Sequence, residues 1–518
     1  MSSHLHRQWQ NSSLSSSATF LGQLNPQDFG FIQTRGDIFV GVDVYGRGTW
    51  YKKGFGSSTA IKAIDAASST LSVALFAPGW TWESQTSNTS WDTWFDYDKK
   101  FWIGPNQDET IPANSDGSPY VPICSYFKKN APPNPATLAF YTSFSPGTGL
   151  NWYVNGIQVL STTDGWTDLQ KQTSLGDLLW PQPQMRWDGD APDVWPAITV
   201  NNSWNGGSCL GINFSTTAQS GSGRLPIQSL PITVGQQYTV TLICNTTDAD
   251  ALVTLDLSLS VEPLSAPLTT VVTEDGAQSN VLSSGWRKLS TTFSVQDLVS
   301  RSKQGSDAEA LSGVGLNISY SGFKGGAFVF YLGQMTVAPV LPPALDGSSV
   351  VSSVLWADFS STTASTSTTL PTGILTWDVT SFFVPAAVNS TDDDDNADDD
   401  DNADDNSGTD GTSSADSEST NPQWTLQDPA QWLPKFIYFN VYAQAFASDG
   451  TIKDADSASF MGTTGLDGRG KRFYIDETVW PDRIVGKSKA RLYVQGVTEL
   501  GEVLPWDRCA FVDIDADS

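Results

Sequence analysis

The stretch that most limits how this chain can fold runs from residue 37 to residue 76. "DIFVGVDV" (37–44) is a nearly continuous apolar run of strand length, the pattern of a strand covered on both faces. After a Gly-rich loop comes "SSTAIKAIDAAS" (57–68), which opens on hydroxyl residues able to cap a helix and carries Ala60, Ile64 and Ala67 at helical spacing. "LSVALF" (71–76) is a second buried strand. Strand, loop, helix and strand in that order predict a parallel pair, and with it a parallel sheet or a (β/α) barrel. "ATLAFYTSF" (136–144) reads as a third strand.

From about residue 185 the texture changes. "GSCLGINFS", "QQYTVTLICNT", "ALVTLDLSLSV", "WRKLSTTFSV", "GVGLNISYS" and "GAFVFYLGQMTV" are short β-branched and aromatic segments broken by Gly, Ser, Asn and Asp. That spacing predicts an antiparallel β-sandwich. "VAPVLPPAL" (337–345) closes it, because Pro cannot donate to a ladder. A last β region starts at "SSVLWADFS" (352–360) and resumes with "KFIYFNVYAQAF" (435–446), "RFYIDETVW" (472–480), "ARLYVQGV" (490–497) and "CAFVDIDA" (509–516). Between them "DDDDNA" occurs twice in tandem, at 392–397 and 398–403. Like charges at that density repel, so a disordered acidic insertion is expected over 388–423. An EF-hand reading of it lacks the Gly turn and the spaced ligands.

Length and composition agree with this division. At 518 residues the chain is too long for one ordinary core, and its abundant Gly, Ser, Thr and Trp suit short strands and turns. The formal net charge is -28, yet thirteen of the acids fall within 388–420, where there is no Lys or Arg. Acidity without a basic stripe excludes nucleic acid and anionic membrane as expected partners. Cys124, Cys209, Cys244 and Cys509 are far apart, with neither a disulfide framework nor a zinc pattern. The two His, His4 and His6, lie in a tail, which removes a His-dependent triad and a His-ligated metal from consideration. The N-terminal residues have no apolar core of the signal-peptide kind and no apolar run is long enough to span a bilayer, so a soluble protein of a reducing compartment is expected.

In a (β/α) barrel the C-terminal ends of the strands face the active site. Asp43, Arg47, Trp80, Trp82 and Glu83 fall at such ends. Acid, cation and aromatic rings together are what a sugar site requires: rings lie under the apolar face of a pyranose, and charged groups bind its hydroxyls. Two other readings stay open here, a Trp plugging the barrel end and a structural Asp–Arg pair. The loop "YGRGTWYKKGFG" (45–56), with four Gly and three cations, matches neither a dinucleotide nor a Walker phosphate pattern.

At these residues the sequence resembles a known family. "DIFVGVDVYGRGTW" and "LSVALFAPGWTWE" are similar to strand ends of the cytosolic endo-β-N-acetylglucosaminidases of glycoside hydrolase family 85. "DKKFW" (98–102), "YTSFSPGTG" (141–149) and "NSWNGGSCL" (202–210) resemble further family elements in the same order. The resemblance implies the C-terminal part of a (β/α)8 TIM barrel over 31–180, after a disordered or partial tail at 1–30. Two β-sandwich domains would follow, a carbohydrate-binding-like one at 185–345 and a fibronectin- or Ig-like one at 350–518. It implies cleavage of the N,N′-diacetylchitobiose core of N-linked glycans, in which the substrate's own 2-acetamido group forms an oxazoline while a Glu and an Asn, spaced Asn-x-Glu, assist. It further implies a cytosolic monomer without cofactor or metal, acting on N-glycans or glycoproteins. Asp43, Arg47, Trp80, Trp82 and Glu83 would then bind glycan. None of the nine Glu has Asn two positions before it, so no catalytic pair is expected in this chain, with Glu83 and Asp43 as fallback candidates. The expectation is of an N-terminally truncated hydrolase, with an inactive fragment or a non-catalytic carbohydrate-binding protein as the alternative.

Overall fold

The computed structural model describes residues 36, 39–47, 49, 51–67, 71–85, 90–105, 120–128, 132–136, 139–179, 185–189, 191–246, 255–263, 278–295, 309–321, 326–340, 350–362, 370–383, 435–466 and 468–516. The expected tail at 1–30 and the acidic insertion at 388–423 lie outside these residues. The chain is mostly β, in several sheets with few helices. It divides into two compact units, Met1–Ala131 and Pro132–Ser518.

In the first unit, β1 (Phe39–Asp43) and β2 (Ser72–Phe76) pair in parallel, with Asp43 opposite Phe76. Helix α1 (Ser57–Ala67) connects them, and its Ala60, Ile61 and Ile64 are buried in one core with Val42, Val44 and Leu71. The order predicted from periodicity is therefore present. Ser58, however, serves as a tie and not as a cap, since its hydroxyl donates to the Val121 carbonyl at 2.8 Å.

After β2 the chain turns sharply: Ala77 takes φ 58°, a left-handed value that alanine seldom adopts. One helical turn, α2 (Trp80–Glu83), follows, and then α3 (Trp91–Trp102). The start of α3 is fixed by a reciprocal cap: the Thr93 N–H donates to the Ser90 hydroxyl, and the Ser90 N–H to the Thr93 hydroxyl.

The second unit opens with β3 (Phe140–Thr142), the hairpin β4 (Pro146–Val154) and β5 (Ile157–Gln172), and β6 (Arg186–Asp188). Strands β7 (Asp193–Thr199), β8 (Cys209–Thr216), β9 (Ser220–Thr233), β10 (Gln237–Thr246) and β11 (Leu255–Pro263) continue it. Next come β12 (Gln278–Val281), β13 (Arg287–Ser294), β14 (Glu309–Ser321) and β15 (Gly326–Pro339). Their main sheet runs β12-β13-β10-β15-β8-β7, with β3 also on β15, and a second runs β11-β14-β9-β6. Rings join the two sheets: Phe214 of β8 lies 5.8 Å from Tyr320 of β14 and 5.8 Å from Trp187 of β6.

The remaining strands are β16 (Val350–Ser361), β17 (Gly373–Phe383), β18 (Phe436–Ala445), β19 (Ser459–Thr463), β20 (Arg472–Ile475), β21 (Lys489–Thr498) and β22 (Ala510–Asp515). They form sheets ordered β16-β17-β20 and β19-β18-β21-β22. One core joins both sheets, with Trp377 of β17 at 5.1 Å from Phe439 of β18.

Two expectations change. "ATLAFYTSF" does not extend the parallel pair: Phe140–Thr142 pairs antiparallel with Val337–Met335 of β15. The compact units also divide after Ala131, well before the expected limit at 180, because β3 and the β4–β5 hairpin cohere with the antiparallel sheets. A short apolar run shows that a strand will be buried, but its partner is chosen by tertiary contacts.

Candidate functional site

The strand ends of the first unit bring four polar groups together. Arg47 lies four residues beyond Asp43 and folds back on it: its Nε donates to Asp43 Oδ2 at 2.9 Å and a terminal nitrogen to Oδ1 at 3.3 Å. The Tyr45 N–H donates to Asp43 Oδ1 at 3.0 Å, and the Tyr51 hydroxyl accepts from the Asp43 N–H at 2.8 Å. The Val44 N–H reaches the Phe76 carbonyl at 3.0 Å, which fastens this turn to the end of β2. From there the Tyr45 hydroxyl donates to Glu83 Oε2 on α2, linking the two loops.

Arg47 is also held by rings. Its guanidinium lies 5.2 Å from the Tyr45 ring and 5.4 Å from the Phe76 ring, within the reach of a cation–π contact. Phe76 is 52 % exposed although it ends a strand, so this apolar face is open beside the charged pair.

Partial burial pushes the Asp43 carboxyl up, but the Arg47 hydrogen bond and charge, with the Tyr45 and Arg47 N–H groups, outweigh it and hold the carboxyl below the ordinary carboxylate range. A group that stays ionised has no proton to give at neutral pH, so Asp43 suits binding better than acid catalysis. The Tyr45 hydroxyl is pushed up, first by its bond to Glu83.

The linkage has a definite sign. Because the folded Asp43 is more acidic than the unfolded one, its contribution is present above the ordinary carboxylate pKa and lost as pH falls through the lowered value. The pair is partly exposed, so the effect is small. Denaturation of the protein and of Arg47→Ala across pH should show a small gap at neutral pH that closes in acid.

The two tryptophans of α2 face different ways. Trp82 is 46 % exposed and meets Trp94 of α3 edge-on at 5.7 Å. The Trp94 indole N–H donates to the Thr81 hydroxyl at 3.3 Å, and that hydroxyl donates to Asp98 at 2.7 Å. Burial pushes the Asp98 carboxyl up, against hydrogen bonds from Thr81 and Trp102. Trp80, expected at the rim, is instead core: it is 6 % exposed and lies 6.0 Å from Phe55, 5.7 Å from Tyr97 and 6.4 Å from Phe101. The reason is Gly54, where a β-carbon would stand 2.1 Å from the Trp80 ring; its absence lets the indole seat on backbone.

The structure thus joins Asp43, Arg47 and Glu83 through Tyr45, leaves Trp82 exposed on the same helical turn as Glu83, and removes Trp80 to the core. Tyr45, Phe76 and Trp94 join the candidates. Tyr45 could have been found from its place between Asp43 and Arg47 at a strand end; nothing local marks Trp94. The segments 141–149 and 202–210 meet in the second unit, where the Ser208 hydroxyl donates to the Phe144 carbonyl at 3.3 Å. Among the described residues no group of His, Cys, Asp or Glu could hold a metal ion, and the four Cys are unpaired with one another.

Comparison with known proteins finds likenesses to this region. Residues 4–152 match the profile of glycosyl hydrolase family 85. The matched segment is similar to that family. A curated relative, cytosolic endo-beta-N-acetylglucosaminidase 1 of Arabidopsis thaliana, is 38 % identical over 211 residues, 38 % of this chain and 25 % of the relative. This chain therefore spans about a quarter of that protein's length. Among solved structures, the glycoside hydrolase domain of Endo-D from Streptococcus pneumoniae R6 is 14 % identical with a TM-score of 0.48, covering 98 % of this chain and 62 % of that one. A beta-1,2-glucanase from Parabacteroides distasonis is 9 % identical with a TM-score of 0.26, over 64 % of this chain and 36 % of that one.

Proposed function

We propose that this chain is part of an endo-β-N-acetylglucosaminidase-type glycoside hydrolase of the cytosol, acting on the N,N′-diacetylchitobiose core of N-linked glycans. The observation that carries the reading is the family 85 match over 4–152 coinciding with a joined acid, cation and aromatic cluster at two parallel strand ends. On this reading β1, α1 and β2 are the late part of a (β/α)8 barrel, and the later sheets are two β-sandwiches. Ionised Asp43 fixes Arg47, whose remaining donors and the Tyr45–Glu83 pair bind sugar hydroxyls, while Phe76, Trp82 and Trp94 offer rings to the pyranose faces.

The family's substrate-assisted mechanism needs Asn-x-Glu, and no Glu of this sequence stands in that setting. These residues therefore bind and orient the glycan without completing the catalytic pair. The same observation favours a second reading, a carbohydrate-binding protein without hydrolysis. A binding and release assay on a high-mannose glycoprotein tests both. Binding at the strand ends is expected to weaken about tenfold or more in Arg47→Ala, the usual effect of losing hydrogen bonds from a charged group.

A further inference from the structure

We propose that the sheet face of β10, β13 and β15 is a second, non-catalytic binding site for a neutral oligosaccharide. The cleft stands on its own geometry, while the sugar assignment rests on the N-glycan reading above. Its volume is about 720 Å³, within the roughly 300–1,000 Å³ typical of small-ligand sites.

Strand register sets the chemistry of its floor. Thr241 of β10 lies opposite Ser290 of β13 and opposite Thr336 of β15, so three hydroxyl residues form one row across three strands. Adjacent strands are about 4.8 Å apart, a spacing comparable with the width of a sugar ring. The next row is Lys288, Ile243 and Gln334. Among the described residues, the side-chain hydroxyls of Thr239 and Thr336 make no hydrogen bond, and Lys288 and Glu502 make no ion pair, although all four line the cleft.

One wall comes from the turn at 500–503, and it is fixed. The Gln334 amide donates to the Leu500 carbonyl at 3.0 Å, and the Asn205 amide to the Gly501 carbonyl at 3.2 Å. Gly501 has φ +73°, and a β-carbon there would stand 2.2 Å from the Gln334 amide nitrogen, so the approach requires glycine. The cleft is thus preformed, which spares a ligand the cost of ordering it.

Its charges select the ligand class. One ammonium and one carboxylate balance, and a polyanion would meet a single lysine in a chain of net charge -28. Unpaired hydroxyls beside the apolar Leu282, Pro339 and Val503 match a ligand with hydroxyl edges and C–H faces, which describes an uncharged oligosaccharide.

Calorimetric titration of the full chain with a free high-mannose oligosaccharide carrying its chitobiose core tests the proposal. The wild type should show two sites. Thr239→Trp, which fills the cleft, should lose one and keep the one that Arg47→Ala removes. If Thr239→Trp fails to fold, Thr336→Ala decides, since its hydroxyl is unpaired among the described residues, with about two- to tenfold weaker binding at the cleft. A single site lost only in Arg47→Ala would overturn the cleft and leave the strand-end reading standing. A single site lost only in the threonine variants would support the cleft and count against the strand ends. No binding by the wild type would overturn both.

Discussion

Replacing Trp80 with alanine is expected to destabilise the first unit by about 3–5 kcal/mol, the usual cost of emptying a large aromatic site in a core. The indole is 6 % exposed among Phe55, Tyr97 and Phe101, and it seats on the backbone at Gly54, so its removal leaves a cavity in that core. Trp82→Ala, two residues on, should cost no more than about 0.5 kcal/mol, because that ring is 46 % exposed. The chain divides into two units, so the experiment must follow unfolding of the first by a local signal. The reverse pattern, a stable Trp80→Ala protein with lost glycan binding, would return Trp80 to the rim.

Loss of Glu262 should be as damaging in the second unit. Arg186 of β6 and Arg224 of β9 are direct cross-strand partners, an arrangement that repels unless an anion lies between them. Glu262 of β11 supplies it: its carboxylate accepts from Arg186 and lies 3.3 Å from Arg224 Nε. Burial, with the charge of Arg186 adding to it, holds the Arg224 guanidinium below its ordinary value, and the charge of Glu262 offsets this only in part. Arg224 also donates to the Ser260 hydroxyl at 3.0 Å and the Gly313 carbonyl at 2.7 Å, so it cannot swing out to water without breaking these bonds.

Glu262→Ala therefore leaves a buried cation uncompensated, at a cost of about 3–5 kcal/mol in chemical denaturation. The double variant Glu262→Leu with Arg224→Met should recover much of that loss, since removing both charges removes the penalty. Additive losses would show that the pair acts through packing alone.

The sequence made some of this legible and not the rest, for physical reasons. The unit from 37 to 76 could be read because strand and helix periodicities are local, and the helix over 57–67 and both strands are where the pattern places them. The segments "QQYTVTLICNT", "WRKLSTTFSV" and "ARLYVQGV" likewise became β10, β13 and β21. The partner of "ATLAFYTSF" was not legible: it has the composition of a barrel strand, and only the approach of β15 gives it an antiparallel partner. Nor could the site be fully read, because Trp80 and Trp82 stand in the same "GWTWE" string and only the packing against Gly54 separates a core ring from an open one. "GILTWDVTSFF" forms β17 and places Trp377 in the last core, a role that only its pairing with β16 and β20 reveals.

The central claim is that the strand ends of the first unit bind an N-glycan without completing its hydrolysis. The most direct measurement mixes the purified chain with a high-mannose glycoprotein, following the Trp82 indole N–H resonance and the appearance of free glycan together. The account predicts a saturable shift of Trp82, weakened about tenfold or more in Arg47→Ala, and no free glycan. Release of glycan by this chain, abolished in Glu83→Gln, or a Trp82 signal indifferent to both the glycoprotein and Arg47, would contradict it.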